Sequence, residues 1–146
     1  LARAAGTVFI RRERREAAEQ ARLLADRIAQ GDRLALFPEG TSTDGARVLP
    51  FRPALFAALL PPLAPADLEV QPVGLEYRAP PGRDPRFYAW WGSMALGPHL
   101  LQVLAVRGQG RVAVTLCPPL GRSHRTDRKT MASAARTAVA GALAAD

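Results

Sequence analysis

The sequence predicts an α/β fold: a mixed, largely parallel central sheet flanked by helices. Three observations predict it. Short apolar runs alternate with stretches of helical periodicity. The first strand, helix and strand fit within residues 7–37, about the span of a right-handed parallel crossover. Glycine and proline punctuate the boundaries between these stretches. Together they imply a single domain over 1–146, with five or six strands.

Each element has its own justification. Thr7 to Ile10 reads as a strand that ends in the basic cluster Arg11, Arg12, Arg14 and Arg15. Glu16 to Gln30 reads as a helix, because Ala17, Ala21, Leu24 and Ile28 recur on one face and Gly31 supplies a stop. Leu34 to Phe37 is the next strand. Pro53 to Leu60 reads as a short helix with proline in its first turn. Leu68 to Tyr77 and Arg86 to Trp91 read as strands, and Pro98 to Val106 as a helix. Arg111 to Cys117 alternates towards apolar residues and reads as a strand. A last helix, capped by Thr126 or Asp127, runs through Leu143 with Met131, Ala135, Ala138 and Ala142 in one stripe.

Composition narrows the function classes. A hydrophobic content of 48% is that of an ordinary globular core. The single Cys117 excludes an internal disulfide and an all-cysteine zinc site, and its apolar neighbours suit a buried, inert thiol in a reducing compartment. Net charge is +7, and Lys129 is the only lysine. Two readings of that charge stand side by side: arginine bias in the coding sequence, or attraction to an anionic lipid surface. Duplex-binding and RNA-binding motifs are absent, and the arginines are dispersed, so nucleic acid is not expected as a partner. No apolar run is long enough to span a bilayer, and Leu1-Ala2-Arg3 does not open a signal peptide. Trp90 and Trp91 suit core packing better than interfacial anchoring, and Tyr77, Phe87 and Tyr88 are assigned to the core.

The chemistry concentrates at Phe37-Pro38-Glu39-Gly40-Thr41, where an apolar run ends in a turn. Open α/β sheets bind ligands at such an edge. Gly40 permits close backbone approach, and Thr41 with neighbouring N–H groups offers donors to an anion. The turn is a receptor for an anionic group. Ser42 lacks the second glycine of a nucleophile elbow. Gly108-Gln109-Gly110 lacks the rest of a dinucleotide fingerprint, and no cluster of residues suggests a metal.

Phe37-Pro38-Glu39-Gly40-Thr41 resembles the acceptor-binding signature of the glycerolipid acyltransferases, typified by 1-acylglycerol-3-phosphate acyltransferase. Gly6-Thr7-Val8-Phe9-Ile10-Arg11-Arg12 resembles the family's Gly-x-x-Phe-Ile-x-Arg element, and Val70-Gln71-Pro72-Val73 its apolar strand with a central proline. The three occur in the family's order. The resemblance implies transfer of a fatty acyl group from acyl-CoA or acyl carrier protein to a lysophospholipid-type acceptor. That acceptor is 1-acylglycerol-3-phosphate, or a lyso-ornithine lipid whose carboxylate an arginine would also grip. It implies no cofactor beyond the acyl thioester, and a place at the cytoplasmic face of the membrane, peripheral or anchored by sequence outside this chain. The implied acceptor-binding residues are Arg12, Glu39, Gly40 and Thr41, with Phe9, Phe37, Pro38 and Pro72 lining the pocket. Arg12 is the clamp. Glu39 holds the loop by accepting from backbone N–H groups or from Arg12, or else contacts an acceptor hydroxyl.

One family element is missing. The catalytic His-x-x-x-x-Asp has no counterpart, since Leu104 lies five residues after His99 and Lys129 five after His124. The expectation is an N-terminally truncated enzyme domain, inactive as it stands and with no catalytic residue of its own. The alternative is a lipid- or phosphate-binding remnant without turnover.

Overall fold

The computed structural model describes residues 17–144. Helix α1 spans Ala17–Ala29 and a 3-10 helix spans Pro53–Leu59. Strand β1 is Val73–Arg78, helix α2 is Leu96–Ala105, and strand β2 is Arg111–Leu116. Helix α3, Arg128–Ala144, closes the chain.

The two helix boundaries read from sequence have identifiable causes. Gly31 takes φ +87°, a left-handed conformation that glycine adopts freely. Its N–H bonds to Ile28 O at 2.9 Å, and the Asp32 N–H reaches Arg27 O at 3.0 Å. That pair of bonds closes α1 as a Schellman motif. At the start of α3 the Asp127 carboxylate accepts from the N–H groups of Lys129 (2.7 Å) and Thr130 (3.1 Å), and from the Thr130 hydroxyl at 2.6 Å. Asp127 therefore satisfies donors that the helix cannot.

The core lies where the 3-10 helix meets α3. Phe56 and Leu59 pack with Met131, Ala132 and Ala135, and Met131 is 0% exposed. Alanines on α3 leave room for the aromatic and leucine side chains opposite. Burying a side chain such as Phe56 or Met131 stabilises the fold by roughly 1.5–3 kcal/mol. Ile28, Leu36, Phe51, Leu68 and Val70 pack around this centre. A smaller cluster joins Ala21 and Leu24 of α1 to Ala58. Arg125 fastens the segment after the 3-10 helix, donating to Leu59 O, Pro65 O, Ala66 O and Leu68 O.

The strands pair antiparallel, from Val73 opposite Leu116 to Arg78 opposite Arg111. One face of this pair rests Gly74 against Leu143 of α3. The other carries Val73, Leu75, Tyr77, Val112, Val114 and Leu116, all exposed.

Several expectations need correction. The expected strand Thr7–Ile10 lies outside the described residues, as does the first half of the parallel crossover. Leu34 to Phe37 takes no regular secondary structure and pairs with no strand among the described residues. The expected strand Arg86–Trp91 does not form: residues 85–88 form turns, because backbone bonds from the Phe87 N–H to Asp84 O and from the Ala89 N–H to Arg86 O curl the chain there. Among the described residues the sheet has two antiparallel strands, not five or six largely parallel ones. The mixed α and β character stands. β1 begins at Val73, later than Leu68, because Leu68 and Val70 are drawn into the helical core. Pro53–Leu59 is 3-10 rather than α. Phe87 is buried as expected, but Tyr77 and Trp90 are exposed.

Candidate functional site

The chain entering the site is anchored by Leu36, whose side chain packs against the core. Residues 37–40 then reverse direction, with the Gly40 N–H bonded to Phe37 O at 3.1 Å. Gly40 adopts φ +65°. A Cβ there would also stand 2.6 Å from Arg52 Nε and 2.9 Å from Arg52 Cδ. Glycine is therefore required twice, for its dihedral and for the guanidinium pressed against it.

Arg52 and Glu39 lace this turn to the following loop. The Arg52 N–H donates to Pro38 O at 2.8 Å, and its Nε donates to Glu39 O at 3.3 Å. The Glu39 carboxylate accepts from the Leu49 N–H at 3.1 Å. Arg136, on α3, donates to Val48 O and Leu49 O. Loop 41–50 is thus gripped at its far end from both sides. Asp44 and Thr43 shape its tip by accepting from the N–H groups of Ala46 and Gly45.

The charge distribution follows. Glu39 turns its carboxylate into the loop, on a backbone N–H. The Arg52 terminal nitrogens make no hydrogen bond among the described residues, and the side chain is exposed beside Gly40. A guanidinium fork with open donors next to a glycine turn suits a carboxylate or phosphate.

The sequence-derived site residues are placed unevenly. Glu39, Gly40 and Thr41 share the turn, and the Thr41 hydroxyl makes only a long bond to Ser42 O, 3.4 Å. Phe37 is 76% exposed beside half-buried Pro38. Pro72 is buried, and its carbonyl accepts from the Cys117 N–H, as befits a structural position before β1. Val70 and Leu36 meet the same core cluster, so the two motif segments converge there. Arg12 and Phe9 lie outside the described residues. Sequence reasoning missed Arg52 and Arg136. Arg52 carried a faint signal, standing one residue before the proline that opens a helix, a place where a side chain can turn back on the preceding loop. Arg136 carried none, because its target lies 87 residues away in sequence.

The family model described as Acyltransferase matches residues 1–76, which contain this turn and most of its lacing. The chain belongs to the acyltransferase family. Three curated relatives, each a lyso-ornithine lipid O-acyltransferase, share its sequence closely. The one from Rhodobacter capsulatus is 52% identical over 139 residues, covering 95% of this chain and 50% of the relative. That from Brucella abortus is 38% identical, covering 86% and 50%, and that from Rhizobium meliloti 41% identical, covering 71% and 39%. The chain spans about half the length of the curated relatives it matches. No solved structure matches it. In this acyltransferase domain neither His99 nor His124 hydrogen-bonds to the 37–41 turn among the described residues, and no His, Cys, Asp and Glu cluster there could hold a metal. No described helix is long and apolar enough to cross a membrane.

Proposed function

We propose that the protein carrying this chain transfers a fatty acyl group from a thioester to the hydroxyl of a lyso-lipid whose head group bears a carboxylate, of the lyso-ornithine lipid type. The turn at 37–41 and Arg52 form part of its acceptor cradle. The observation that supports this most is the division of charge at the turn. Glu39 is spent on the Leu49 N–H, while the Arg52 guanidinium stays open beside Gly40. The relatives' shared name supports the lyso-ornithine class over the phosphate one.

The reaction joins the acceptor hydroxyl oxygen to the thioester carbonyl carbon. The carbon–sulfur bond breaks, the thiol leaves, and a base takes the hydroxyl proton. This chain's residues position the acceptor, which is a large share of the barrier reduction in any two-substrate transfer. Arg12 and Arg52 together would hold the head group, and Gly40 would let it approach the backbone. The base is assigned to the portion of the full-length protein beyond the matched half. Acyl-CoA or acyl carrier protein supplies the acyl group, and no other cofactor is needed.

The test is acyl transfer by the full-length gene product with lyso-ornithine lipid and lysophosphatidic acid as parallel acceptors. Arg52→Ala is expected to raise the acceptor KM about tenfold or more, the loss of one charge-assisted contact. Arg12→Ala is expected to do the same. Unchanged KM in both variants removes the guanidinium grip. Exclusive use of lysophosphatidic acid overturns the head-group assignment.

A further inference from the structure

Helix α2 buries none of its ten residues, although seven of them are aliphatic or proline in the run Leu-Gly-Pro-His-Leu-Leu-Gln-Val-Leu-Ala. Leu96, Leu100 and Leu104 recur every fourth residue, on one side of the helix. Leu101 and Leu104 are 69% and 68% exposed. The turn leading into the helix adds exposed Trp90 and Met94, held together by a 2.7 Å bond from Trp90 Nε1 to Met94 O. An apolar surface of this kind is unusual on a soluble face.

A second, independent observation says what covers it. Residues 85–126 contain five arginines and no aspartate or glutamate. Arg125 is turned inward onto carbonyls and Arg86 is paired with Asp84. Arg107 and Arg111 remain without an ion pair among the described residues, directly after α2. Gln109 donates to Val103 O and Val106 O, folding that basic turn back on the C-terminal end of the helix. Arg111 also stands opposite Arg78 across the sheet, and Arg78 is paired with Glu76, so the nearest carboxylate is already taken.

We propose that Trp90, Met94 and helix α2 form an interfacial docking element that seats in the plane of an anionic lipid bilayer, with Arg107 and Arg111 on the lipid head groups. A ten-residue helix is about 15 Å long, too short to span and suited to lying flat. Leucines and the indole enter the acyl boundary. Each arginine near the surface adds electrostatic attraction that salt weakens. This surface does not depend on the acceptor assignment, since it is tested on vesicles that contain no acceptor.

The experiment is hydrogen–deuterium exchange of the full-length gene product, alone and with vesicles of phosphatidylglycerol or of phosphatidylcholine. Peptides spanning 90–106 are expected to exchange freely in the protein alone, to slow with phosphatidylglycerol, and to slow far less with phosphatidylcholine or at high salt. Leu100→Glu with Leu104→Glu, both exposed and so harmless to the core, is expected to abolish that slowing. Arg107→Gln with Arg111→Gln is expected to weaken phosphatidylglycerol binding roughly tenfold, with the leucines unchanged. Exchange over 90–106 that vesicles do not alter overturns the proposal. So does slow exchange without vesicles: independent of protein concentration, it means the rest of the chain covers α2, and rising with concentration, it means a second copy does.

Discussion

Replacing Gly40 with alanine tests the architecture of the site directly. Two costs follow from the geometry. An L-residue held at the +65° φ of this position loses about 1–2 kcal/mol relative to glycine. The new methyl would stand 2.6 Å from Arg52 Nε, so the guanidinium must leave and its bond to Glu39 O is broken. A lost hydrogen bond of that kind costs about 0.5–1.5 kcal/mol net. The full effect is about 2–3 kcal/mol, to be read by urea unfolding of the full-length protein. The same change in an Arg52→Ala background meets no guanidinium and should cost only the backbone part, about 1–2 kcal/mol. The difference between backgrounds is a coupling of about 1 kcal/mol, within reach of a double-mutant cycle. Gly40→Asn separates the two costs further, because asparagine tolerates the dihedral but still brings a Cβ. Equal costs in both backgrounds would refute the contact between Gly40 and Arg52.

Three further outcomes are expected. Met131→Ala removes a fully buried side chain from the centre of the core and should destabilise by about 2–5 kcal/mol, seen as a lowered Tm. Arg125→Met removes the guanidinium donors from four carbonyls, of which Pro65 O keeps the Leu68 N–H, and should cost about 3 kcal/mol or more, and Arg125→Lys should not rescue it, since an ammonium cannot span the fork of acceptors. The Asp127 carboxyl is held below its ordinary range, first by the Thr130 hydroxyl and then by the N–H groups of Thr130 and Lys129. Its folded value being depressed, its contribution is present above the unfolded pKa and is lost as pH falls through the folded one. The Tm advantage of the native protein over Asp127→Asn should therefore shrink on acidification, and an advantage independent of pH would exclude a charged cap.

Legibility in the sequence followed the range of the forces involved. α1 and α3 were readable because their signals are local: a stripe of small and apolar residues, a Gly31 stop, an Asp127 cap. The turn at Phe37–Gly40 was readable for the same reason. The Leu34–Phe37 run could not be settled from its own residues, because an apolar run is equally suited to a strand and to a segment packed on helices, and its expected partner, Thr7–Ile10, lies outside the described residues. No strand lies beside it among the described residues. Arg86–Trp91 has strand-like aromatic content, but Asp84 accepts from the Arg86 N–H and starts a turn. Phe87 then carries the burial and Trp90 is left outside. The site's lacing was illegible because Arg52 and Arg136 act on main-chain carbonyls, which have no sequence identity to pair with.

That last point changes how the basic composition is understood. Dispersed arginines left two readings open, solvated charge over a biased background or attraction to an anionic lipid surface. Yet three of them, Arg52, Arg125 and Arg136, direct their guanidinium groups at seven backbone carbonyls, and each fastens a segment lacking regular structure. Arginine suits this work where lysine does not, because its planar fork reaches two or more acceptors at once and keeps its charge when partly buried. Two of the three act on neighbouring segments: Arg52 fastens the Glu39–Gly40 turn from its downstream side, and Arg136 on α3 fastens the end of the loop that follows it. The turn and its loop are therefore held from outside by charge-assisted bonds. On the function proposed above, a turn held this way is preset before an acceptor arrives, which favours binding by removing the ordering cost. It also ties the cradle's stability to α3, so loosening Arg136 should disturb acceptor affinity without any contact to the acceptor itself.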